Sequence, residues 1–343
     1  MTRRYKIATL FAVVALTYFV PSFLQVFTVL NFTVYFVMAM LALSLAFVWG
    51  MGGIMVLGQS AFFGLGAYAY ALTALNFGAG WEAVALSMIV PAVFAALLGY
   101  FMFYGRISDI YVGVITLAVT LILFNLINST SGPQYKIGSA KIGGYNGITS
   151  IPILDWPNGA PISINGMFYL CVGLLITVYL LIKLYLKTPY GKVTVAIREN
   201  ERRAELLGYN VSLNKLITFS IGGAIAGLAG CMFANWGAFV SPTLFSLLQS
   251  AQIIIWVIVG GRGTLIGPIL GCVLLQWMTT KLGTQQAVNV SFVLGVLLTF
   301  FVLLAPAGLA PMLAQVPKAL GARLSKNRNA RPPLDAPTKE HQS

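Results

Sequence analysis

The feature that most constrains this chain is a succession of apolar runs, each about as long as a bilayer is thick, with charge confined to the segments between them. A helix needs about 20 predominantly apolar residues to cross the hydrocarbon core. Ten such runs are read near residues 7–29, 31–49, 53–75, 82–104, 108–129, 164–186, 215–237, 243–260, 264–280 and 286–305. Composition explains why a water-facing fold is excluded: 58% of residues are hydrophobic and 8% charged, against roughly 25% charged in a soluble domain. An unpaired charge in hydrocarbon is costly, so a lipid-facing chain avoids charge along most of its length. The expected fold is therefore all-α, a polytopic transmembrane bundle of about ten spans. The junctions at residues 30–31 and 51–52 make poor loops, so broken, short or re-entrant spans are expected there.

The first run, IATLFAVVALTYFVPSFLQVFTV, is long for the core of a signal peptide. It lacks a clear small-x-small cleavage site and continues directly into more apolar sequence, so it reads as a first membrane span. Charge then sets the orientation. Basic residues cluster in 1–6 (Arg3, Arg4, Lys6), in 187–215 and in 318–339. Cytoplasmic loops carry the excess of Lys and Arg. With 1–6 inside, ten crossings place Arg106, the 187–214 loop and the 311–343 tail inside and the 130–163 loop outside. Nine crossings would put the basic tail on the wrong side. The permease domain is thus expected over 7–310, with cytoplasmic termini. The 130–163 loop is rich in Gly, Pro, Ser and Asn and is expected to be turn-laden and ordered. The tail, with Pro332, Pro333 and Pro337, is expected to be disordered.

The net charge of +13 is not a nucleic-acid signal. A nucleic-acid groove needs basic and aromatic residues interleaved on one solvated face, and here the basic residues flank apolar spans. Cys171, Cys231 and Cys272 lie in apolar runs without metal-ligand spacing and read as small buried hydrophobes. The single histidine, His341, sits in the polar tail, which argues against a histidine-based catalytic or metal site. No cofactor or metal is expected on this chain.

Three segments carry the functional signal. The first, WGMGGIMVLGQSAFFGLGAYAYAL over 49–72, crowds Gly50, Gly52, Gly53, Gly58, Gly64 and Gly66 into one region. Each glycine costs a helix interior about 1 kcal/mol. Two readings stand: close helix packing through small residues, or a broken helix beside a translocation path, with Gly58, Gln59, Gly64 and Gly66 as its candidate residues. Gln59 needs a hydrogen-bond partner if buried. The second, PYGKVTVAIRENERRAELLGYNV over 189–211, suggests a short amphipathic helix over 196–207. Ala196, Ile197, Ala204 and Leu207 are its small and apolar positions, and Arg198, Glu199, Glu201, Arg202, Arg203 and Glu205 its charges. Gly208 is a natural C-cap. It is either a solvated loop with local ion pairs or a helix that docks on a cytosolic partner. The third, IVGGRGTLIGPILG over 258–271, sets Gly260, Gly261, Gly263, Gly267 and Pro268 around Arg262. It lacks the Lys-Ser/Thr ending and preceding strand of a phosphate loop. It reads as a structural turn, with Arg262 snorkelling or bonding helix carbonyls.

The polar residues inside spans, Asn31, Asn125, Asn235, Gln249, Gln252 and Gln276, read as helix–helix hydrogen-bonding groups. Glu82 and Asp109 fall near span ends, and no span centre carries a carboxylate. Proton- and sodium-coupled transporters usually use intramembrane ionisable groups, although backbone carbonyls can also hold sodium.

The blocks VLGQSAFFGLGAYAYAL, TPYGKVTVAIRENERRAELLGYNVSLNKLITFSIGGAIAGLAG and WVIVGGRGTLIGPILG resemble the bacterial ABC importer permeases for branched-chain amino acids, of the LivM type. The resemblance runs from about residue 39 to 309, and the middle block is its most specific part. It implies a permease of the bacterial inner membrane that pairs with a homologous LivH-type permease. It further implies two cytosolic ATP-binding subunits, which hold the ATP and Mg, and a periplasmic substrate-binding protein. It would make the 196–208 region the coupling segment, with Ala196, Arg198, Glu199, Arg202, Ala204, Leu207 and Gly208 facing an ATPase subunit. No residue of this chain would be catalytic. Many relatives carry His where this chain has Gln59, which removes a titratable group. Urea and short-amide permeases are close relatives, so a urea or amide importer is the alternative substrate reading. A stand-alone channel or secondary transporter is a second class, and co-purification with ATPase subunits separates it from the first.

Overall fold

The computed structural model describes residues 25–132, 134–156 and 159–283, with 295–296, 299 and 308 beyond them. The basic N-terminus, most of the expected 7–29 span, nearly all of the 286–305 span, and the 311–343 tail lie outside the described residues. The chain is almost wholly helical, in the order α1 (Val26–Leu45, continued by a π-helical turn Ala46–Met51), α2 (Gln59–Phe77), α3 (Trp81–Tyr104), α4 (Asp109–Ser129), α5 (Ile164–Tyr185), α6 (Pro189–Glu199), α7 (Glu201–Leu206), α8 (Val211–Gly237), α9 (Leu247–Gly260) and α10 (Ile266–Gly283). Among the described residues there are also four strands of two residues each.

Five of these helices are long and apolar enough to cross a bilayer: Val26–Met51, α3, α4, α5 and α8. Burial sorts them. The apolar window of Val26–Met51 is 78% buried and that of α8 67%, against 22% for α3 and α4. The first two therefore form the centre of the polytopic membrane bundle, and α3 and α4 form its rim. The pattern in α3 shows why. Ala83, Ser87, Pro91, Ala95 and Gly99 recur every fourth residue and are buried, whereas Leu86, Ile89, Val93, Leu97, Tyr100 and Tyr104 are exposed on the other face. The small stripe lets α8 approach closely, and the large apolar face meets hydrocarbon without cost.

Helix α8 is the hub because its SIGGAIAGLAG run is small on every side. A Cβ on Gly223 or Gly227 would meet Pro91 of α3, one on Gly230 would overlap the Phe63 carbonyl of α2, and one on Gly222 would overlap Val48. Its closely spaced Gly, Ala and Ser are the packing signal legible in this run.

Two expected boundaries differ. No break occurs at residues 30–31, where α1 runs through without interruption. Its apolar stretch has neither Gly nor Pro to stop it, and Asn31 alone is too weak a breaker. The 243–260 span is also shorter: a 3-10 turn occupies Pro242–Phe245 and the helix starts at Leu247, capped by Ser246.

The described residues of 130–163 form turns and short strands. Strands β1 (Lys136–Ile137) and β2 (Ala140–Lys141) form a hairpin, and β3 (Ile148–Thr149) pairs with β4 (Phe239–Val240) just after α8. Asn76, at the end of α2, donates to the Ile137 carbonyl and accepts from the Ser139 amide. Asn235 of α8 is buried and accepts from the Leu154 amide at 2.7 Å and the Tyr70 hydroxyl at 2.9 Å. It also donates to the Cys231 carbonyl of its own helix at 2.9 Å. The spans' polar side chain thus joins helix to helix and both to the loop. Asn235→Leu leaves the Leu154 amide without its acceptor, a loss of about 1–3 kcal/mol. The expected result is roughly tenfold faster proteolytic cleavage within 130–163 in membrane vesicles. Unchanged cleavage kinetics would refute this role for Asn235.

Candidate functional site

The 49–72 segment holds a break in the helix over residues 52–58 and close packing through its glycines. After α1 the helix widens into the π turn Ala46–Met51 and then stops, and residues 52–58 run without regular structure before α2 begins at Gln59. Non-helical backbone is tolerated inside a membrane bundle only where protein or water satisfies it. The Gly52 amide reaches the Phe47 carbonyl, that of Gly53 reaches Trp49, and that of Ile54 reaches Val48, at 3.0–3.2 Å. Further on, the amides of Leu57 and Gly58 both donate to Thr116 Oγ1 at 3.3 Å, and Thr120 Oγ1 reaches the Gly58 carbonyl. Thr116 and Thr120 stand one turn apart on α4, so one helix face serves both sides of Gly58. Their threonine-x-x-x-threonine spacing in an apolar run is the signal of this role that the sequence carries.

Gln59 is 1% exposed. Its Nε2 donates to Ser44 Oγ at 2.9 Å and to the Gly222 carbonyl at 3.3 Å, while its Oε1 has no partner among the described residues. It thereby fastens α1, α2 and α8 together at the start of α2. Gly58, Gly64 and Gly66 are buried too: Gly58 abuts the Thr116 carbonyl, Gly64 the Phe245 ring and Gly66 the backbone of Gly227. These four candidate path residues are packed against protein.

The amphipathic segment departs from expectation. A single helix over 196–207 is not formed. Instead α6 ends at Glu199 and α7 starts at Glu201, with Asn200 extended between them (φ −159, ψ 99). Asn200 breaks the helix because its side chain caps the next one, accepting from the Arg203 amide at 2.8 Å. Helix α6 begins earlier than expected, at Pro189, with Thr188 as its N-cap. Gly208 stops α7 at φ +86. Its amide reaches Glu205 and that of Tyr209 reaches Ala204, which is the Schellman closure.

Burial divides the coupling candidates. Ala204 is buried with Ile197 and Val211, against Val193, so it holds α7 onto α6 and α8 and offers no outer surface. Ala196, Glu199, Arg202, Leu207 and Gly208 are exposed. Leu206 and Leu207, 81% and 71% exposed, stand out with Tyr190 and Tyr209 as an apolar surface among charges.

Arg198 points the other way. Its Nη1 donates to the Gly50 carbonyl at 2.7 Å, and its stem lies against Gly53, whose φ of +74 and lack of a Cβ admit it. Nε and Nη2 bond Glu199 Oε1. The third segment arrives at the same place. The Arg262 guanidinium lies 5.5 Å from the centroid of the Trp49 ring, a cation–π contact. A Cβ on Gly50 would overlap the Arg262 carbonyl. The turn itself is tight because Gly260 and Gly267 touch backbone to backbone, Gly261 sits at φ +104, and Thr264 accepts from the Gly267 amide. Gly263 is exposed and Pro268 lies in the first turn of α10. Arg262, for which the sequence left snorkelling or helix-carbonyl bonding open, is exposed and stacks on an aromatic ring. Three separately noted segments converge on one turn, 49–53.

A charge cluster secures the same end of the bundle. Lys215, at the start of α8 and with 10% of its side chain exposed, bonds Asp109 at 3.2 Å and Glu201 at 2.7 Å. Arg106 pairs with Glu205 at 3.1 Å, but both are well exposed, and such surface pairs contribute less than about 1 kcal/mol. The shielded Lys215 is the stronger tie between the α3–α4 turn and α7. A cleft of about 310 Å³ opens between these groups.

Comparison with known proteins adds a second line. Residues 27–304 match the family described as branched-chain amino acid transport system / permease component. The chain is 32% identical over 288 residues to the high-affinity branched-chain amino acid transport system permease protein LivM of Salmonella typhimurium, covering 79% of this chain and 67% of that protein. It is 30% identical over 292 residues to LivM of Escherichia coli, with the same coverage. A probable LivM of Methanocaldococcus jannaschii is 26% identical over 218 residues, covering 61% of this chain and 60% of that protein. No solved structure matches.

Proposed function

Since the chain belongs to the family of branched-chain amino acid transport permease components, we propose that it is the membrane-spanning subunit of an ATP-driven importer for branched-chain, hydrophobic amino acids. The observation that carries the reading is the convergence on residues 49–53. A charged, surface-exposed segment, α6–α7, is bonded to a break in the bundle's most buried helix. A movement imposed on the outside therefore has a short physical route to the interior.

In this reading the charged end of the bundle is cytoplasmic and the 130–163 loop periplasmic, as the positive-inside bias suggests. The termini lie on the cytoplasmic side of the bacterial inner membrane. Glu199, Arg202, Leu206 and Leu207 face one of two ATP-binding subunits, which hold the ATP and Mg and perform hydrolysis. The exposed apolar faces of α3 and α4 contact lipid and a homologous LivH-type permease. The ordered loop receives a substrate-binding protein. The chain itself is a transport component and not an enzyme.

Uptake of labelled leucine and labelled urea into vesicles tests it. The vesicles contain this chain with its neighbouring permease, ATP-binding subunits and binding protein. ATP-dependent leucine uptake is the expected outcome. Urea uptake alone would keep the architecture and transfer the substrate to urea or short amides. Uptake of either without ATP-binding subunits would make the chain a stand-alone transporter or channel.

A further inference from the structure

We propose that Arg198 is the positioning residue that carries the movement of the coupling segment into the broken part of α1. The inference rests on the importer reading above and names the link within it. Among the described residues, Arg198 is the donor that the Gly50 carbonyl receives. That carbonyl falls at the end of the π turn, where the neighbouring amides of Gly52, Gly53 and Ile54 bond back to Phe47, Trp49 and Val48 instead. A helix end leaves such carbonyls without an amide donor, and here a cation from another segment fills the vacancy. Charge-assisted bonds are short and strong relative to neutral ones, and 2.7 Å is within that class.

The surroundings favour transmission over mere closure. Arg198 sits two residues before the Asn200 break, in the last turn of α6, so it moves with that helix. Its other face holds exposed Glu199, which belongs to the outer surface of α6. The guanidinium is thus shared between a surface carboxylate and an interior carbonyl. Gly50 and Gly53 admit no side chain, so the contact is backbone to guanidinium with little slack. Beyond Gly53 the chain is non-helical as far as Gly58, and this is the part of α1–α2 that can change shape without breaking a regular helix. Arg262, stacked on Trp49 from the opposite turn, limits where residue 50 can go. A displacement of α6 is therefore delivered to residues 50–58, which lead directly to Gln59.

The test uses the reconstituted complex with Arg198→Met, which keeps the stem and removes the donors, and Arg198→Lys, which retains a charged donor. A reporter cysteine replaces Met55, a partly buried residue of the irregular stretch. The native Cys171, Cys231 and Cys272 are replaced by alanine in all samples. Three quantities are read: uptake per ATP hydrolysed, protein abundance in the membrane, and the rate of maleimide labelling at position 55 with and without trapped ATP. Expected for Arg198→Met are near-normal abundance and hydrolysis, at least about a tenfold loss of uptake per ATP, and labelling that no longer responds to ATP. Arg198→Lys restores part of both responses. Unchanged uptake per ATP with ATP-responsive labelling in Arg198→Met would overturn the inference and leave the importer intact. So would a loss confined to abundance, which marks a structural role only. A parent complex that shows no ATP-dependent uptake overturns the importer reading, and the inference with it.

Discussion

Gly66→Leu is expected to remove most of the protein from the membrane. Gly66 of α2 lies directly on the backbone of Gly227 in α8, and Gly227 in turn lies on the Ser87 carbonyl and Pro91 of α3. Three helices are therefore stacked through one point with no side chain between the first two. A leucine there meets Cα and carbonyl atoms, which cannot rotate aside as a neighbouring side chain can. Overpacking a core normally costs about 1–3 kcal/mol, and separating two helices adds lost contact along their whole interface. Because a change of about 1–2 kcal/mol already alters abundance several-fold, at least a tenfold fall in membrane-integrated protein is expected. Gly173→Leu is the control. Gly173 is exposed on α5 with nothing near its Cβ position, and leucine improves helix propensity there by up to about 1 kcal/mol. Quantitative immunoblotting of membrane fractions decides. Equal abundance of the two variants would show that α2 and α8 do not depend on this contact.

Glu199→Arg is expected to abolish uptake while leaving the protein in place. Glu199 is exposed and bonds Arg198 through both Nε and Nη2. Reversing its charge does two things at once. It sets a cation against Arg198, disturbing the bond to Gly50, and it presents the wrong sign to any partner surface that reads Glu199. Like charges brought together at an interface cost several kcal/mol, so uptake should fall by about tenfold or more. Position 199 lies outside the packed core, so abundance should stay within about twofold of the parent. Uptake and abundance must be measured on the same vesicles. Near-normal uptake at normal abundance would remove Glu199 from the coupling surface.

Much of the architecture was legible because membrane physics leaves a chain few choices. Apolar runs of bilayer length had to be helices, and the described runs are helices. The glycine crowding at 49–72 left close packing and a broken helix as alternatives, and the structure holds both a break and close packing there. The finer features failed for identifiable reasons. The helix over 196–207 was drawn through Asn200 because its charges and small residues continued, although Asn is a strong N-cap and Glu201 follows it. Ala204, a coupling candidate by the family resemblance, packs inward onto Ile197 and Val211. For Arg262 the sequence offered snorkelling or helix-carbonyl bonding; the ring it stacks on, Trp49, is more than two hundred residues away in the chain.

By itself the sequence determined the class of protein, the approximate extent of most described spans and the segments to watch, since hydropathy, charge bias and glycine clustering are local properties. Tertiary structure alone decided that those segments meet. Nothing local joins Gly50 to Arg198 and Arg262, Gly58 to Thr116 and Thr120, or Lys215 to Asp109 and Glu201. These contacts arise because a membrane bundle must satisfy buried backbone groups and charges from whichever helix happens to pass.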